Sequence, residues 1–401
     1  MLPLIRTRTV GRLLAVPATA TALAAFAASS AHADTTAADT GWTVDLSVDA
    51  DDVNVVNDGT ALRLRSAQAG PASLEGAEAS GQLVAAPKDF SEPVNRVRAE
   101  VAGRTGGVAV EVRGHLGGTA WSEWLPAGSV LPQAVTRVQA RITLTGKAAP
   151  SVRSVRLTAD RVGGPSSRIA AAPLTYRVYA TREGLVGGTT ANGHVITDRD
   201  HFVALPSRRG LSPINTGTYS VRVCKTDGSL CEYAPVWDVG PWNTRDDYWN
   251  AARQMWTDLP RGKPEAQAAY QDGYNGGKDE FGRTVANPAG IDLADGTFWD
   301  GLKLTNNAWV NVTYLWTGTG AKGVVGTGGG TLNVRAAAST SAAIKGLAAN
   351  RANVIIECSV RGQSVTGTYG TTDVWNRIGS GHYISDAYTY TGSDDPIAPA
   401  C

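Results

Sequence analysis

Two aspartates in the middle of the chain stand where carboxyl groups can do acid–base chemistry. Asp238 follows an apolar stretch just before a Gly-Pro pair, and Asp292 lies between Ile291 and Leu293. An ionised carboxylate among apolar neighbours is costly to bury unless it is partnered or protonated. Two such residues at strand ends can converge on one cleft with different pKa values. Asp238 and Asp292 are therefore our candidate catalytic residues.

Each aspartate also has a purely structural interpretation. Asp292 stands at the entry to a short helix expected near Ala294, which it could cap. Asp238 could close an Asx-turn before Pro241. The spacing alone favours these structural roles.

Side chains near the two aspartates are candidates for binding a substrate, because aromatic faces and amides suit sugars. The candidates are Trp242, Tyr248, Trp249, Asn192 and Tyr179. Two of them, Tyr248 and Trp249, belong to an insertion at 244–288, where helical spacing over 249–256 predicts a short helix. Its aromatic residues are equally compatible with a lid packed on the rest of the domain. The acidic residues of the insertion lack EF-hand spacing, so we predict no metal and no cofactor.

The N-terminus predicts export. Three arginines precede an apolar, Ala-rich stretch, and Ala31-His32-Ala33 supplies the small residues that a signal peptidase requires. Residues 1–33 are therefore predicted to be a signal peptide, cleaved before Asp34, and we expect no membrane segment afterwards. The 37 basic and 36 acidic side chains balance, which gives no electrostatic field for nucleic acid. We expect a secreted monomer.

Four cysteines in an exported chain predict two disulfides. Cys224 and Cys231 flank an Asp-Gly turn and face each other across a hairpin. Cys358 then pairs with Cys401. The spacings lack a CxxC pair, so a zinc site is disfavoured.

Composition and periodicity divide the chain into three mainly β domains. Residues 41–162 alternate with period two, which predicts a β-sandwich. Its Trp121-Ser-Glu-Trp124 motif suggests a sugar platform, with core packing favoured for at least one Trp. Linkers are predicted at 163–173 and at the Gly-rich 318–330, so the middle domain spans 174–317 and the last domain 331–401.

The middle domain resembles the double-psi β-barrel shared by expansins, RlpA-like wall proteins and one class of endoglucanases. The resemblance is carried by TTANG (189–193), FVALPS (202–207), VWDVGPWN (236–243) and GIDLADGTFWDGL (290–302), in that order. It implies that Asp292 is a general acid and Asp238 its conserved partner. His194 stands where RlpA-like enzymes carry Glu, and residues 174–181 lack the extra base Asp of the endoglucanases.

The last domain is similar to bacterial SH3-type domains, with LNVR (332–335), VWNRI (374–378) and GHYISDAYTYTG (381–392) as the matching segments. That family commonly binds cell-wall peptidoglycan. The resemblance makes Trp375, Tyr383, Tyr388 and Tyr390 the candidate wall contacts, with core packing equally compatible with Trp375.

These resemblances imply a secreted, cell-wall-associated protein that binds and remodels wall polysaccharide. Expansin-like loosening with weak lytic activity is the favoured hypothesis, because the second base is missing. A lytic transglycosylase or glycoside hydrolase is the first alternative, and a protease inhibitor or interaction scaffold is the second.

Overall fold

Strands that alternate between buried and exposed residues build nearly all of the structure. The computed structural model describes residues 40–68, 78–146, 148–163 and 171–401. The predicted signal peptide (1–33) and most of the predicted 163–173 linker lie outside the described residues. The mainly β prediction is confirmed.

The N-terminal domain is one ten-stranded sheet that folds over its own hydrophobic core. Two long strands make this possible, because β5 and β9 each change partner along their length. The order along the main path is β2-β3-β10-β5-β9-β6-β7. The strands are β1 (Gly41–Thr43), β2 (Val55–Asn57), β3 (Leu62–Leu64), β4 (Ser80–Val84), β5 (Lys88–Arg104), β6 (Val108–Gly117), β7 (Ala120–Trp121), β8 (Leu125–Pro126), β9 (Val130–Thr145) and β10 (Ser151–Asp160).

The middle domain is a closed six-stranded barrel. Its strands are β11 (Leu174–Arg182), β12 (Val203–Leu205), β13 (Ser220–Lys225), β14 (Cys231–Val239), β15 (Ala289–Leu293) and β16 (Ala308–Tyr314). The β11–β15 and β12–β14 pairs are parallel, and the other four pairs are antiparallel. Exchanging β11 with β14, β12 with β15 and β13 with β16 maps every pairing onto one of the same sense. The strand pairing of the barrel thus has twofold pseudosymmetry.

The insertion contains a helix, but later in the chain than its sequence predicts. Residues 249–256 are not helical, because Trp249 turns its ring into the barrel core and Trp256 adopts φ +60°. Helix α1 spans Glu265–Asp272, and its first backbone N–H donates to Asp246 Oδ2 at 2.6 Å. Short helical turns elsewhere are 3-10 turns at Arg208–Gly210, Tyr274–Gly277, Leu315–Thr317 and Asp386–Tyr388, and a π turn at Thr297–Gly301. None of the described helices is long and apolar enough to cross a membrane.

The C-terminal region joins the barrel through a shared sheet. Its strands are β17 (Ala321–Val325), β18 (Leu332–Arg335), β19 (Ile344–Ala348), β20 (Asn353–Ile356), β21 (Cys358–Gly367), β22 (Gly370–Gly379), β23 (His382–Ser385) and β24 (Thr389–Tyr390). Strand β19 pairs in parallel with β14 of the barrel, and β17, β20 and β24 form a separate sheet. The predicted 318–330 linker therefore contains a strand, because alternate residues Gly323 and Val325 pack inward while β20 and β24 cover both edges.

Both predicted disulfides are present, Cys224–Cys231 across the β13–β14 hairpin and Cys358–Cys401 at the chain end. The first closes a hairpin whose cysteines are direct partners in the register.

The Trp121–Trp124 motif docks the N-terminal domain onto the barrel. Trp124 is fully buried within the barrel core cluster, and Glu123 accepts hydrogen bonds from the indoles of Trp249 and Trp316, each at 2.7 Å. Trp121 remains half-buried beside His115. Trp124 is thus a packing residue and is unavailable as a sugar platform.

Candidate active site

Four cross-strand neighbours on the outer face of the barrel bring the two predicted aspartates together. In the strand register Thr181 lies beside Asp292, Asp292 beside Ala204, and Ala204 beside Asp238. Ile291, directly before Asp292, packs into the barrel core, so Asp292 points outward. Because neighbouring strands are about 4.8 Å apart, the two aspartate Cα atoms lie about 10 Å apart, with the small Ala204 between them.

Asp238 is held as a hydrogen-bond acceptor. Its Oδ1 atom accepts from the backbone N–H of Ala191 at 2.7 Å and of Val239 at 2.8 Å. Ala191 belongs to the 189–193 loop, so the TTANG motif supplies a backbone donor to this carboxylate. The long-range partner distinguishes this arrangement from a local Asx-turn before Pro241.

Asp292 lies between Thr181 and Ala204 in this set of neighbours. It lies within β15, and its Oδ1 atom accepts a hydrogen bond from the Thr181 hydroxyl. The helical turn that follows has Gly296 as its N-terminal cap. Asp292 therefore does not cap that turn, and its structural interpretation is wrong.

A third carboxyl group, Glu183, joins the cluster and was missed in the sequence. Its backbone N–H donates to the Leu293 carbonyl at 2.8 Å, which continues the β11–β15 pairing beyond Thr181. Both of its carboxyl oxygens are buried and receive no hydrogen bond from a described residue. The predicted absence of an extra base considered only residues 174–181, and Glu183 lies just past that limit. A carboxylate directly after a strand was the signal that could have found it.

The three carboxyl groups differ in how firmly they hold a proton. Burial, followed by repulsion from Asp238 and Asp292, keeps the pKa of Glu183 well above its usual range. Burial likewise raises the pKa of Asp292 to about 7, and the Thr181 hydrogen bond opposes this rise. Burial raises the pKa of Asp238 as well, and this rise is opposed first by the neighbouring Glu183 carboxyl group, then by the two backbone donors and the charge of Arg208.

Burial thus favours the protonated form of all three groups, most strongly for Glu183, and the pKa of about 7 leaves Asp292 close to its midpoint at neutral pH. Asp238 is only 7% exposed, whereas Asp292 is partly open to solvent. A ligand at this face therefore meets Asp292 first, with the enclosed Asp238 behind it. Within the ranges that the structure describes, no three His, Cys, Asp or Glu side chains are arranged to hold a metal ion.

Comparisons with known proteins place this site in a domain of unknown function. A family model described as a domain of unknown function (DUF8814) matches residues 174–313, from the first residue of β11 almost to the end of β16. It therefore covers the barrel, the carboxyl cluster and the insertion. No solved structure matches the chain.

Two Bacillus subtilis (strain 168) proteins match a smaller part of the chain. The uncharacterized protein YraI is 37% identical over 81 residues, which cover 18% of this chain and 68% of YraI. The uncharacterized protein YraJ is 33% identical over 81 residues, which cover 18% of this chain and 69% of YraJ. This chain belongs to the same family as YraI and YraJ. Neither printed name states an activity, so the function must be argued from geometry.

The predicted substrate-binding residues separate into buried and accessible groups. Tyr248, Trp249 and Asn192 are completely buried. Tyr248 and Trp249 belong to the barrel core, and the Asn192 amide donates to the Ser212 carbonyl at 3.2 Å, so none of the three can touch a substrate. Their residue types suit sugars, but packing decides their role.

Tyr179 and Trp242 remain partly exposed. Tyr179 lies two residues before Thr181 on the same face of β11, and its ring contacts that of Trp309 with centroids 5.5 Å apart. This aromatic pair borders the carboxyl cluster. Trp242 lies against the insertion, where its indole donates to Asn287 Oδ1 at 3.1 Å.

The four predicted wall contacts of the C-terminal region differ in accessibility. Trp375 is 2% exposed, and its indole donates to the Gln363 carbonyl at 2.8 Å, so it is a core residue. Tyr383 and Tyr388 are half-buried. Tyr390 is 52% exposed and stays available for a ligand.

Proposed function

We propose that this is a secreted, wall-associated protein that binds and remodels polysaccharide, with Asp292 as its acid. The observation that carries the proposal is the pair of unlike carboxyl groups on either side of Ala204. Asp292 is partly exposed and has its pKa raised to about 7, and Asp238 is enclosed and accepts two backbone hydrogen bonds that favour its anion. One group can deliver a proton, and the other can stabilise a developing positive charge.

The chemistry that suits one accessible acid is intramolecular cleavage of a glycosidic bond. Asp292 protonates the glycosidic oxygen, and the bond from that oxygen to the anomeric carbon breaks. A hydroxyl of the same sugar forms the new bond to the anomeric carbon and returns its proton to Asp292. This route needs no separate base to activate water, which agrees with the burial of Asp238 and Glu183. The half-exposed Tyr179 and Trp309 rings, packed edge to face with planes 74° apart, offer aromatic surface to a neighbouring sugar ring.

Export is supported by the two disulfides, which are typical of proteins outside the reducing cytosol. The signal-like N-terminus supports the same location. The wall is proposed from the resemblance of the barrel and the C-terminal region to wall-directed families.

The test is digestion of purified peptidoglycan followed by mass spectrometry of the released fragments. We expect fragments with intramolecular anhydro ends, loss of release in Asp292→Asn, and declining release as pH rises through about 7. Asp300→Asn is the matched control, because Asp300 lies eight residues further on and outside the cluster. Fragments with water-derived reducing ends would indicate a hydrolase. Wall loosening without fragments, still abolished in Asp292→Asn, would indicate expansin-like loosening in place of bond cleavage.

A stability measurement shows whether Asp292→Asn remains folded. A group whose pKa is raised in the folded state contributes stability below its unfolded pKa and loses it as pH rises through the folded value. The Asn variant should therefore match the wild type near pH 4 and exceed it at pH 8, by up to about 4 kcal/mol. Full activity in a folded Asn variant would exclude the acid role.

A further inference from the structure

A depression on the C-terminal region combines two exposed aromatic faces with two carboxyl groups. It encloses about 300 Å³ and is lined by Tyr369, Tyr390, Asp386 and Asp394, together with the 391–393 turn. The two tyrosine rings contact each other with centroids 5.7 Å apart and planes tilted by 49°. They are 45% and 52% exposed, so both rings present aromatic surface to solvent.

The backbone fixes the position of both tyrosines. Tyr369 lies in the turn between β21 and β22, and its N–H donates to the Ala387 carbonyl at 2.9 Å. Gly326 leaves room for its hydroxyl, because a Cβ there would lie 2.2 Å from the Tyr369 oxygen. Tyr390 is held in β24 by pairing with Val324 of β17. The aromatic surface is therefore formed in the free protein.

The two aspartates bring negative charge that the described residues do not neutralise. Asp386 Oδ1 accepts a hydrogen bond from the Asn376 amide at 2.6 Å, and neither Asp386 nor Asp394 forms an ion pair within the described part of the chain. Burial, followed by repulsion from Asp394, raises the pKa of Asp386. A cation placed between them would relieve this repulsion.

We propose that this depression binds a primary ammonium group, seated against the tyrosine rings and hydrogen-bonded to the two aspartates. An ammonium offers three N–H donors to carboxylates, and its charge is attracted to aromatic faces. The volume is at the lower limit of ligand pockets, so it suits one terminal group. A lysine-like side chain of a peptide and an amino sugar both present that group. The inference is independent of the carboxyl cluster on the barrel.

Ligand-observed NMR titrations of the full chain at low salt test the proposal with two matched ligand pairs. Nα-acetyl-lysine methylamide is compared with its Nε-acetylated form, and glucosamine with N-acetylglucosamine. At least one ammonium compound should bind about tenfold more tightly than its acetylated partner, and added salt should weaken it. Tighter binding of the lysine compound identifies a peptide amine as the source, and tighter binding of glucosamine identifies an amino sugar.

Adjacent aspartates provide a matched pair of variants. Asp394→Asn should weaken ammonium binding by about two- to fivefold, whereas Asp395→Asn, which makes the same change outside the lining, should not. Tyr390→Leu should weaken it by about two- to fivefold through loss of an aromatic face. Equal binding of the acetylated ligands, equal effects of the two Asn variants, or no binding of either ammonium compound would overturn the proposal.

Discussion

The barrel is joined to its two neighbours in different ways. On the N-terminal side the contact depends on inserted side chains, with Trp124 in the barrel core and Glu123 bonded to two barrel indoles. On the C-terminal side the backbone itself continues, because β19 extends the sheet from β14. Tyr233 of β14 also belongs to the C-terminal hydrophobic core and donates to the Ile378 carbonyl at 3.0 Å. A side-chain contact can be weakened one residue at a time, whereas a shared sheet makes two regions fold together.

The largest effect should come from ending the chain at Gly318. The Gly-rich 318–330 segment predicts a separable module, but β17 lies inside it, and the truncation uncovers the β14 edge, Tyr233 and Leu315. We therefore expect the barrel to lose its cooperative thermal transition and its near-ultraviolet circular dichroism. Adding residues 319–401 as a separate chain should restore part of the signal. A truncated protein that melts at the full-length temperature would show that the shared sheet contributes little.

Trp124→Ala should weaken the N-terminal join by about 3–5 kcal/mol, because it removes a large, fully buried side chain from the barrel core. Urea unfolding of the full chain measures the loss. Trp121→Ala is the matched control, since Trp121 is half-buried and should lose much less. Equal losses for both variants would contradict the docking role of Trp124.

The contact between the barrel and the C-terminal region should lose stability in acid. Burial, followed by repulsion from Arg222 and Lys345, lowers the pKa of His382 to about 4. A histidine whose pKa is depressed in the folded state binds its proton more readily when unfolded, so stability falls as pH drops from about 6.5 to about 4. The wild type should lose about 3 kcal/mol relative to His382→Gln over that range.

Thermal melts at several pH values measure this difference, with His115→Gln on β6 as the control for removing a histidine away from the join. A His382→Gln variant with the same pH profile as the wild type would contradict the assignment. Because both proteins contain the same carboxyl groups, the contribution of those groups to the pH dependence of stability cancels in the comparison.

The smallest expected effect is the difference in stabilisation between the two disulfides. Cys358–Cys401 spans 43 residues and Cys224–Cys231 spans 7, so the chain-entropy model gives the first about 1.5 kcal/mol more stabilisation. Paired Cys→Ser variants unfolded in urea test the order.

Because β14 and β19 share a sheet, both variants should still show one transition for barrel and C-terminal region. Two separate transitions would indicate that the join is not cooperative.

Local patterns predicted the strands and the disulfides. Period-two alternation found the central parts of β5, β6, β9 and β10, and the Asp-Gly turn found the β13–β14 hairpin. Motif order predicted the barrel and brought Asp238 and Asp292 into one domain. These features depend on neighbours in sequence, where periodicity and turn chemistry are informative.

The same local patterns did not predict packing between residues that are distant in sequence. The burial of Tyr248 and Trp249 depends on Tyr314 and Trp316, which are distant in sequence. The glycines of 318–330 suggested a linker, but strand formation there depends on β20 and β24 as partners. Glu183 lay just outside the predicted first strand, and its importance follows from the carboxyl groups that folding places around it.

The twofold pseudosymmetry of the barrel also relates the four cross-strand neighbours Thr181, Asp292, Ala204 and Asp238 to one another. The pseudosymmetry exchanges β11 with β14 and β12 with β15. Asp292 of β15 is therefore equivalent to Ala204 of β12, and Asp238 of β14 to Thr181 of β11. Each equivalent pair holds one carboxyl group and one small neutral side chain. A barrel assembled from two copies of one half would offer two identical half-sites. One substitution in each pair is then enough to make the two half-sites unlike, with Asp292 in one and Asp238 in the other.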